Sequence, residues 1–319
     1  MKNILEFIEN SALKYPDKLA VADEEGGLTY GQMERLSRQI GAWIYEKTDG
    51  VRNKPVAVLL DKKPGSVAAY MGVVYSGNFY VVLDAEMPAS RAESILGTLN
   101  PVAVVTDIGH MEKALELYRN GVDEDGCQGQ EGENKEVFRI LNLDELDTGA
   151  DQSVLDAVRS RAIDTDPVYA LFTSGSTGVP KAVVSHRNVI SYTYWYTEAF
   201  GIDESTIFGS QTPFYFSMSV SDLYSTLKNG ATLYIIPKAY FTFPMKLMEF
   251  MNTYRINTIY WVPSALQIVA NYKLFQYAQL PELKKVLFAG EVMPTKPLNY
   301  WIMCALETIP PRNGASTVM

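Results

Sequence analysis

A chain of 319 residues, 47% of them hydrophobic, is long enough to bury a large core, arranged as two units. A formal net charge of −9 argues against a nucleic-acid or anionic-membrane surface, since either needs clustered Lys and Arg. Two histidines exclude a multi-histidine metal site, and the distant Cys127 and Cys304 form neither a metal spacing nor a disulfide framework, which fits a reducing cytoplasm.

In MKNILEFIENSALKYPDKLA, residues Ile4, Leu5, Ile8, Ala12 and Leu13 fall at helical spacing and are interrupted by Glu6, Glu9 and Asn10. This predicts an amphipathic surface helix stopped before Pro16, not a signal peptide with an unbroken apolar centre. No window reaches the roughly 18 apolar residues of a membrane span, so a soluble, cytoplasmic protein is expected. VAVLL (56–60) reads as a buried strand, followed by a helix through SVAAYMGVVYSG (66–77) and a second strand, FYVVLD (79–84). PVAVVTD (101–107) and VFRILNLDEL (137–146) carry two more. Between those two, the acidic, Gly-rich stretch 121–136 reads as a solvated loop, with an interaction tail as the alternative.

A helix near 151–161 leads to VYALFT (168–173), and later come ATLYIIP (231–237), NTIYWVP (257–263) and KKVLFAG (284–290). Strands separated by helices predict an α/β fold of two βαβ-type layered subdomains, 1–163 and 164–319, each with a mainly parallel sheet.

The segment LFTSGSTGVPK (171–181) sets Ser, Thr and Gly residues between an apolar run and a lysine. Gly175 and Gly178 let successive backbone N–H groups converge on an anion. Thr173, Ser174, Ser176 and Thr177 add hydroxyl donors, and Lys181 adds a mobile positive charge. The spacing is not G-x-x-x-x-G-K-[ST], because Pro180 stands five residues after Gly175 and Ala182 follows the lysine. A flexible linker is the bland alternative, but the position between two strand-like runs favours a phosphate cradle.

TSGSTGVPK resembles the phosphate loop of the adenylate-forming (AMP-binding) enzymes, which include amino-acid adenylation domains and acyl-CoA ligases. Ala182 departs from the glycine usual after the lysine. LTYGQMERLS (28–37), SGNFYVVLDAEMPASR (76–91) and FAGEVMP (288–294) resemble further segments of that family in order and spacing. The likeness is nearest to the D-alanine–D-alanyl carrier protein ligases. It implies the large domain of such an enzyme, which uses ATP and Mg²⁺ to activate a small amino acid or other carboxylic acid before transfer to a carrier-protein thiol. It further implies that Thr173, Ser174, Gly175, Ser176, Thr177, Gly178 and Lys181 hold the β- and γ-phosphates, with Lys181 and Thr177 catalytic. Gly290 and Glu291 would border the adenine. Ser217, Met218, Ser221, Tyr260 and Ala289 would line the acyl pocket.

The resemblance puts one assignment in doubt. In amino-acid-activating members, PFYFSMSVSDLY (213–224) carries Asp where Ser217 stands, and that Asp pairs with the substrate's ammonium. A hydroxyl supplies no full charge, and an unpaired buried ammonium costs several kcal/mol. Asp222 could compensate only by turning inward, and one helix through 216–222 would put it about 140° from position 217. An acid lacking an amino group is therefore the alternative substrate. His186 and His110 read as structural and surface residues, since a carboxylate already ionised at pH 7 needs no general base. The family's later N-x-Y-G-P-T-E segment and its small C-terminal domain are not recognisable. Full adenylation activity is expected to be weak or absent, and a nucleotide-binding remnant is the non-enzymatic alternative.

Overall fold

Residues 1–121, 139–146, 151–172 and 182–306 are described by a computed structural model. In chain order the chain forms α1 (Leu5–Lys14), β1 (Leu19–Ala22), β2 (Gly27–Thr29), α2 (Tyr30–Lys47), β3 (Pro55–Leu59), α3 (Pro64–Tyr75), β4 (Phe79–Leu83), α4 (Ala89–Leu99), β5 (Ala103–Thr106) and α5 (Met111–Gly121). There follow β6 (Arg139–Asn142), α6 (Val154–Arg161), β7 (Pro167–Leu171), β8 (Ala182–Ser185), α7 (His186–Ala199), β9 (Ile207–Ser210), α8 (Ser219–Asn229), β10 (Thr232–Ile235), α9 (Pro244–Thr253), β11 (Thr258–Trp261), α10 (Pro263–Asn271), β12 (Lys285–Phe288) and α11 (Thr295–Leu306).

The strands form two six-stranded sheets among the described residues. The first has the order β6-β5-β3-β4-β7-β8, parallel except for β8, which runs antiparallel to β7 at the edge. The second has the order β12-β11-β9-β10-β1-β2, parallel except for β2. Inner strands of such sheets are covered on both faces, so they read as continuous apolar runs. PVAVL of β3 is buried at every position and FYVVL of β4 at all but Val82. Pro64 opens α3 where its missing N–H costs nothing, and the helix is buried from Ser66 to Tyr75. The expected α/β architecture of two layered, mainly parallel sheets is the one observed.

The chain divides into two units: Met1–Glu6 with Gln32–Ser191, and Phe7–Gly31 with the chain from Tyr192 onward. This differs from a division at 163/164. Pairing, not chain order, decides membership: β7 joins β4 at Tyr80↔Tyr169, keeping 164–191 with the first sheet, and β1 joins β10 at Val21↔Leu233, carrying the N-terminal strands to the second.

In the second unit Trp261 is fully buried and its indole N–H donates to the Gly209 carbonyl at 2.7 Å, locking β11 onto β9. Tyr30, equally buried, shares its hydroxyl hydrogen between the carbonyl oxygens of Thr226 and Ala231, each 2.7 Å away. These carbonyls flank Gly230, whose φ of +67° ends α8 in the left-handed region. Tyr30 of the LTY run therefore fixes where α8 stops and β10 starts.

Candidate active site

Strands β12, β11, β9, β10 and β1 are parallel, so their carboxyl ends share one edge of the second sheet. From β9 the chain goes on to β10 on one side, and from the adjacent β11 it goes on to β12 on the other. Successor strands that diverge from neighbours open a crevice at the carboxyl edge, where open α/β sheets take their ligands. The candidate residues of the second half lie on the segments that end here.

After β9 the chain passes through turns before α8 begins at Ser219. The Thr212 hydroxyl and the Gln211 side-chain carbonyl oxygen are buried just past the strand end with no hydrogen-bond partner among the described residues. Buried polar atoms are nearly always satisfied, so such atoms at a strand's carboxyl end point to a ligand. Ser217 is exposed, Met218 is half-buried at the helix start, and Ser221 is buried. Tyr260 sits half-buried in β11, paired in register with Leu287 of β12. Ala289 and Gly290 follow directly on β12.

Gly290 has φ +93°, a backbone state that a side chain strains. That turn presents Glu291 to the neighbouring helix. Its carboxylate accepts from the Ser264 backbone N–H at 2.9 Å and from the Ser264 hydroxyl at 3.2 Å. Ser264 lies in the first turn of α10, so Glu291 caps the positive end of that helix and ties the loop after β12 to the segment after β11.

Sequence reasoning missed a tyrosine cluster beside α8. Asp222, in the first turn of α8, is 1% exposed. The Tyr192 and Ser221 hydroxyl oxygens are 2.7 Å apart. The Tyr196 ring lies 5.9 Å from that of Tyr192 and 5.8 Å from that of Tyr260, centroid to centroid. The Tyr196 hydroxyl is buried with no hydrogen-bond partner among the described residues. Burial pushes all three phenols up, Tyr260 to about 12, and the Asp222 carboxylate adds to each shift. Asp222 is buried, not turned to solvent. The offset of about 140° presumed one helix through 216–222. The α-helix instead starts at Ser219, after i→i+3 turns such as Val220 N–H to the Ser217 carbonyl, so the assumption fails. The i, i+4 pair Tyr192 and Tyr196 was the available signal, because that spacing puts both on one helix face.

Thr173, Ser174, Gly175, Ser176, Thr177, Gly178 and Lys181 lie outside the described residues, as does the acidic stretch from 122 to 136. The strands bounding the phosphate-loop segment are described: β7 and β8 pair antiparallel, with Leu171 opposite Ala182. The segment thus joins two partner strands of one sheet, at the carboxyl end of a strand that is parallel to its other neighbour. His186 is 3% exposed, and its Nδ1 accepts the Ile4 N–H at 3.2 Å. Its ring is committed to holding the N-terminus against the start of α7. No group of three or more His, Cys, Asp or Glu that could hold a metal occurs among the described residues. No helix among them is long and apolar enough to cross a membrane.

The family profile described as AMP-binding enzyme matches residues 8–305. An L-proline–[L-prolyl-carrier protein] ligase of Pseudomonas fluorescens is 30% identical over 305 residues, covering 94% of this chain and 58% of the relative. A D-alanine–D-alanyl carrier protein ligase of Bacillus licheniformis is 29% identical over 294 residues, covering 91% of this chain and 54% of the relative. The chain therefore spans somewhat more than half the length of these relatives. Among solved structures, the nonribosomal peptide synthetase FmoA3 bound to α-methyl-L-serine-AMP superposes with a TM-score of 0.79 at 21% identity, over 95% of this chain and 32% of that one. The N-terminal domain of FACL13 from Mycobacterium tuberculosis superposes with a TM-score of 0.77 at 17% identity, over 95% of this chain and 73% of that one. At such identities the likeness is one of fold.

Proposed function

The chain belongs to the AMP-binding enzyme family, and from that premise we propose that it serves ATP-dependent activation of a small amino acid. A carboxylate oxygen of the acid attacks the α-phosphorus of ATP, the bond to the β-phosphate oxygen breaks, and the products are an aminoacyl-adenylate and pyrophosphate. The adenylate then passes its acyl group to a carrier-protein thiol. The relatives named as carrier-protein ligases for proline and D-alanine support the amino-acid class and the acceptor.

Because the reactants and leaving group are anions, catalysis here is chiefly positioning and charge neutralisation. Lys181 and Thr177, with Thr173, Ser174, Gly175, Ser176 and Gly178, cradle the β- and γ-phosphates. Gly290, with Glu291 holding its loop on α10, borders the adenine. Ser217, Met218, Ser221, Tyr260 and Ala289 line the acyl pocket. Mg²⁺ would supply further charge neutralisation on the phosphates, as a hard cation suited to oxygen ligands. The described residues offer it no group of three or more His, Cys, Asp or Glu ligands.

The observation that carries this reading is the sequence TSGSTGVPK between the paired strand ends Leu171 and Ala182, within a family match over residues 8–305. Calorimetry with ATP and Mg²⁺ on the 319-residue chain tests it. Binding is expected, weakened at least tenfold in Lys181→Ala. No ATP heat at millimolar nucleotide, with wild type and variant alike, would overturn it.

Ser217 favours a second reading, in which the acid carries no amino group. Its side chain is exposed and uncharged where amino-acid-activating relatives of this family hold a carboxylate. Pyrophosphate exchange with glycine, D-alanine and L-proline against propionate separates the two.

A further inference from the structure

Around the carboxyl ends of β9 and β11 the second unit keeps buried hydrogen-bonding groups that no described residue satisfies. The Gln211 side-chain carbonyl oxygen and the hydroxyl of Thr212, a residue 3% exposed, lie just past β9. Ile259 of β11 pairs with Gly209, so Tyr260, the next residue, stands level with Ser210, the last of β9. The Tyr260 ring centroid lies 5.8 Å from that of Tyr196 on α7. The Tyr196 hydroxyl, on a side chain 1% exposed, also has no hydrogen-bond partner among the described residues. Native folds leave few such groups, so three of them about the point where successor strands diverge mark a place that a ligand completes.

All three groups are neutral, and Ser217, exposed on the turn before α8, adds no charge. A phenol and an aliphatic hydroxyl each donate and accept, and an amide oxygen accepts. Groups of that kind match a substrate hydroxyl, which also donates and accepts. They do not offset a desolvated ammonium, which needs a counter-charge. An apolar substituent would leave them unpaired, and a site built to hydrogen-bond a hydroxyl discriminates strongly against the analogue lacking it. Tyr196 also adjoins the residues assigned above to the acyl pocket. Its ring packs on that of Tyr260 and, 5.9 Å away on the other side, on that of Tyr192, whose hydroxyl oxygen is 2.7 Å from that of Ser221. Tyr192 is 36% exposed, so the cluster reaches the surface.

We propose that Tyr196 and Thr212 are specificity-determining residues of the acyl pocket, and that the acid it takes carries a neutral hydroxyl held by these two side chains. The inference rests on the adenylation reading above and adds to it the substituent that the substrate must bear. It is independent of whether the acid also carries an amino group.

The test compares acids that differ by one hydroxyl. Calorimetric titrations on the full chain, with a saturating non-hydrolysable ATP analogue, set lactate and 3-hydroxypropionate against propionate, and serine against alanine in both enantiomers. In at least one pair the hydroxyl-bearing acid is expected to bind at least tenfold more tightly. Tyr196→Phe, Thr212→Val or both should bring that preference below threefold, with affinity for the ATP analogue unchanged. A preference under tenfold in every wild-type pair, or one that stays above threefold in both variants, overturns the proposal and leaves the adenylation reading standing. A merely structural role has its own readout. Neither hydroxyl has a partner in the ligand-free fold, so both variants are expected to keep or raise the unfolding midpoint. If both melt lower or fail to fold, the hydroxyls are committed within the fold and the proposal is overturned; if only one does, the other variant decides. Absent binding of the ATP analogue overturns the parent reading and this one with it.

Discussion

At Gly290 a single torsion holds the loop after β12 in place. With φ at +93° and only Val262 near the space a Cβ would occupy, at 3.8 Å, the demand for glycine comes from backbone strain and not from crowding. Gly290→Ala is expected to cost about 1 kcal/mol in urea unfolding and to loosen Glu291 from Ser264. A cost near zero would mean that the turn relaxes freely. His186 gives a pH-dependent counterpart. Burial lowers its pKa from the ordinary 6.5 to about 4, with Asp166 opposing. A depressed value means that the unfolded chain binds the proton more readily than the folded one. The stabilisation is therefore complete above pH 6.5 and is lost as pH falls toward 4. Between pH 7 and 5 the folded state should lose about 2 kcal/mol through this ring. The fall is measured as the difference in unfolding free energy between wild type and His186→Asn at each pH, which cancels shared carboxylate effects. Protonation would place a hydrogen on Nδ1, the atom that accepts from Ile4, so the contact and the proton exclude each other. The structural role of His186 was legible because the chemistry needed no base. The burial of Asp222 was not, since one helix through 216–222 was presumed and α8 starts at Ser219.

Elements were legible where burial made their composition uniform. The runs at 56–60, 79–84, 101–107, 168–173, 231–237 and 257–263 all overlap observed strands, because inner strands have no polar face to break the pattern, and 284–290 overlaps β12 at a sheet edge. The strand beside the site, β9, escaped notice. IFGS carries a glycine and a serine, and its Gly209 is required by close packing: a Cβ there would stand 2.9 Å from the Ile256 side chain. β1, the antiparallel edge strand β2 and the edge strand β8 were hidden for a different reason, since short strands borrow their stability from partners remote in sequence. Helix packing in the first unit shows the same tertiary control. Gly72 of α3 faces α2, where a Cβ would lie 2.5 Å from Ile40 Cγ2 and 3.0 Å from the Ser37 carbonyl oxygen. In an isolated helix Gly→Ala is favourable by about 1 kcal/mol. Here overpacking against a neighbouring helix backbone should outweigh that gain, and Gly72→Ala is expected to destabilise by about 1–2 kcal/mol net. Chemical denaturation with unchanged m-value checks it; a stabilised variant would show that the helices separate without cost.

At the scale of the whole molecule, the sequence located two α/β units but not their membership, because chain order gives no sign that residues 7–31 pair with a strand beyond residue 230. Charge works at this scale too. A chain with net charge −9 repels a polyphosphate at long range, so any ATP affinity must come from a local group of donors. In the proposed site that group is the backbone and hydroxyls of 173–178 with Lys181. Two consequences separate it from non-specific association. Ligand binding to the native state alone raises unfolding free energy by RT ln(1 + [L]/Kd), about 2.7 kcal/mol when ATP is at 100 times its Kd. Adding salt screens the long-range repulsion between an acidic protein and its anionic ligand, which offsets the weakening of a local Lys181 contact. The wild type should therefore show an ATP-dependent rise in its unfolding midpoint that survives 0.3 M salt, and Lys181→Ala should lose at least tenfold in apparent affinity with its nucleotide-free stability unchanged. A midpoint unmoved by millimolar ATP, or moved equally in the variant, would leave the glycine-rich segment as a simple hairpin connection between β7 and β8.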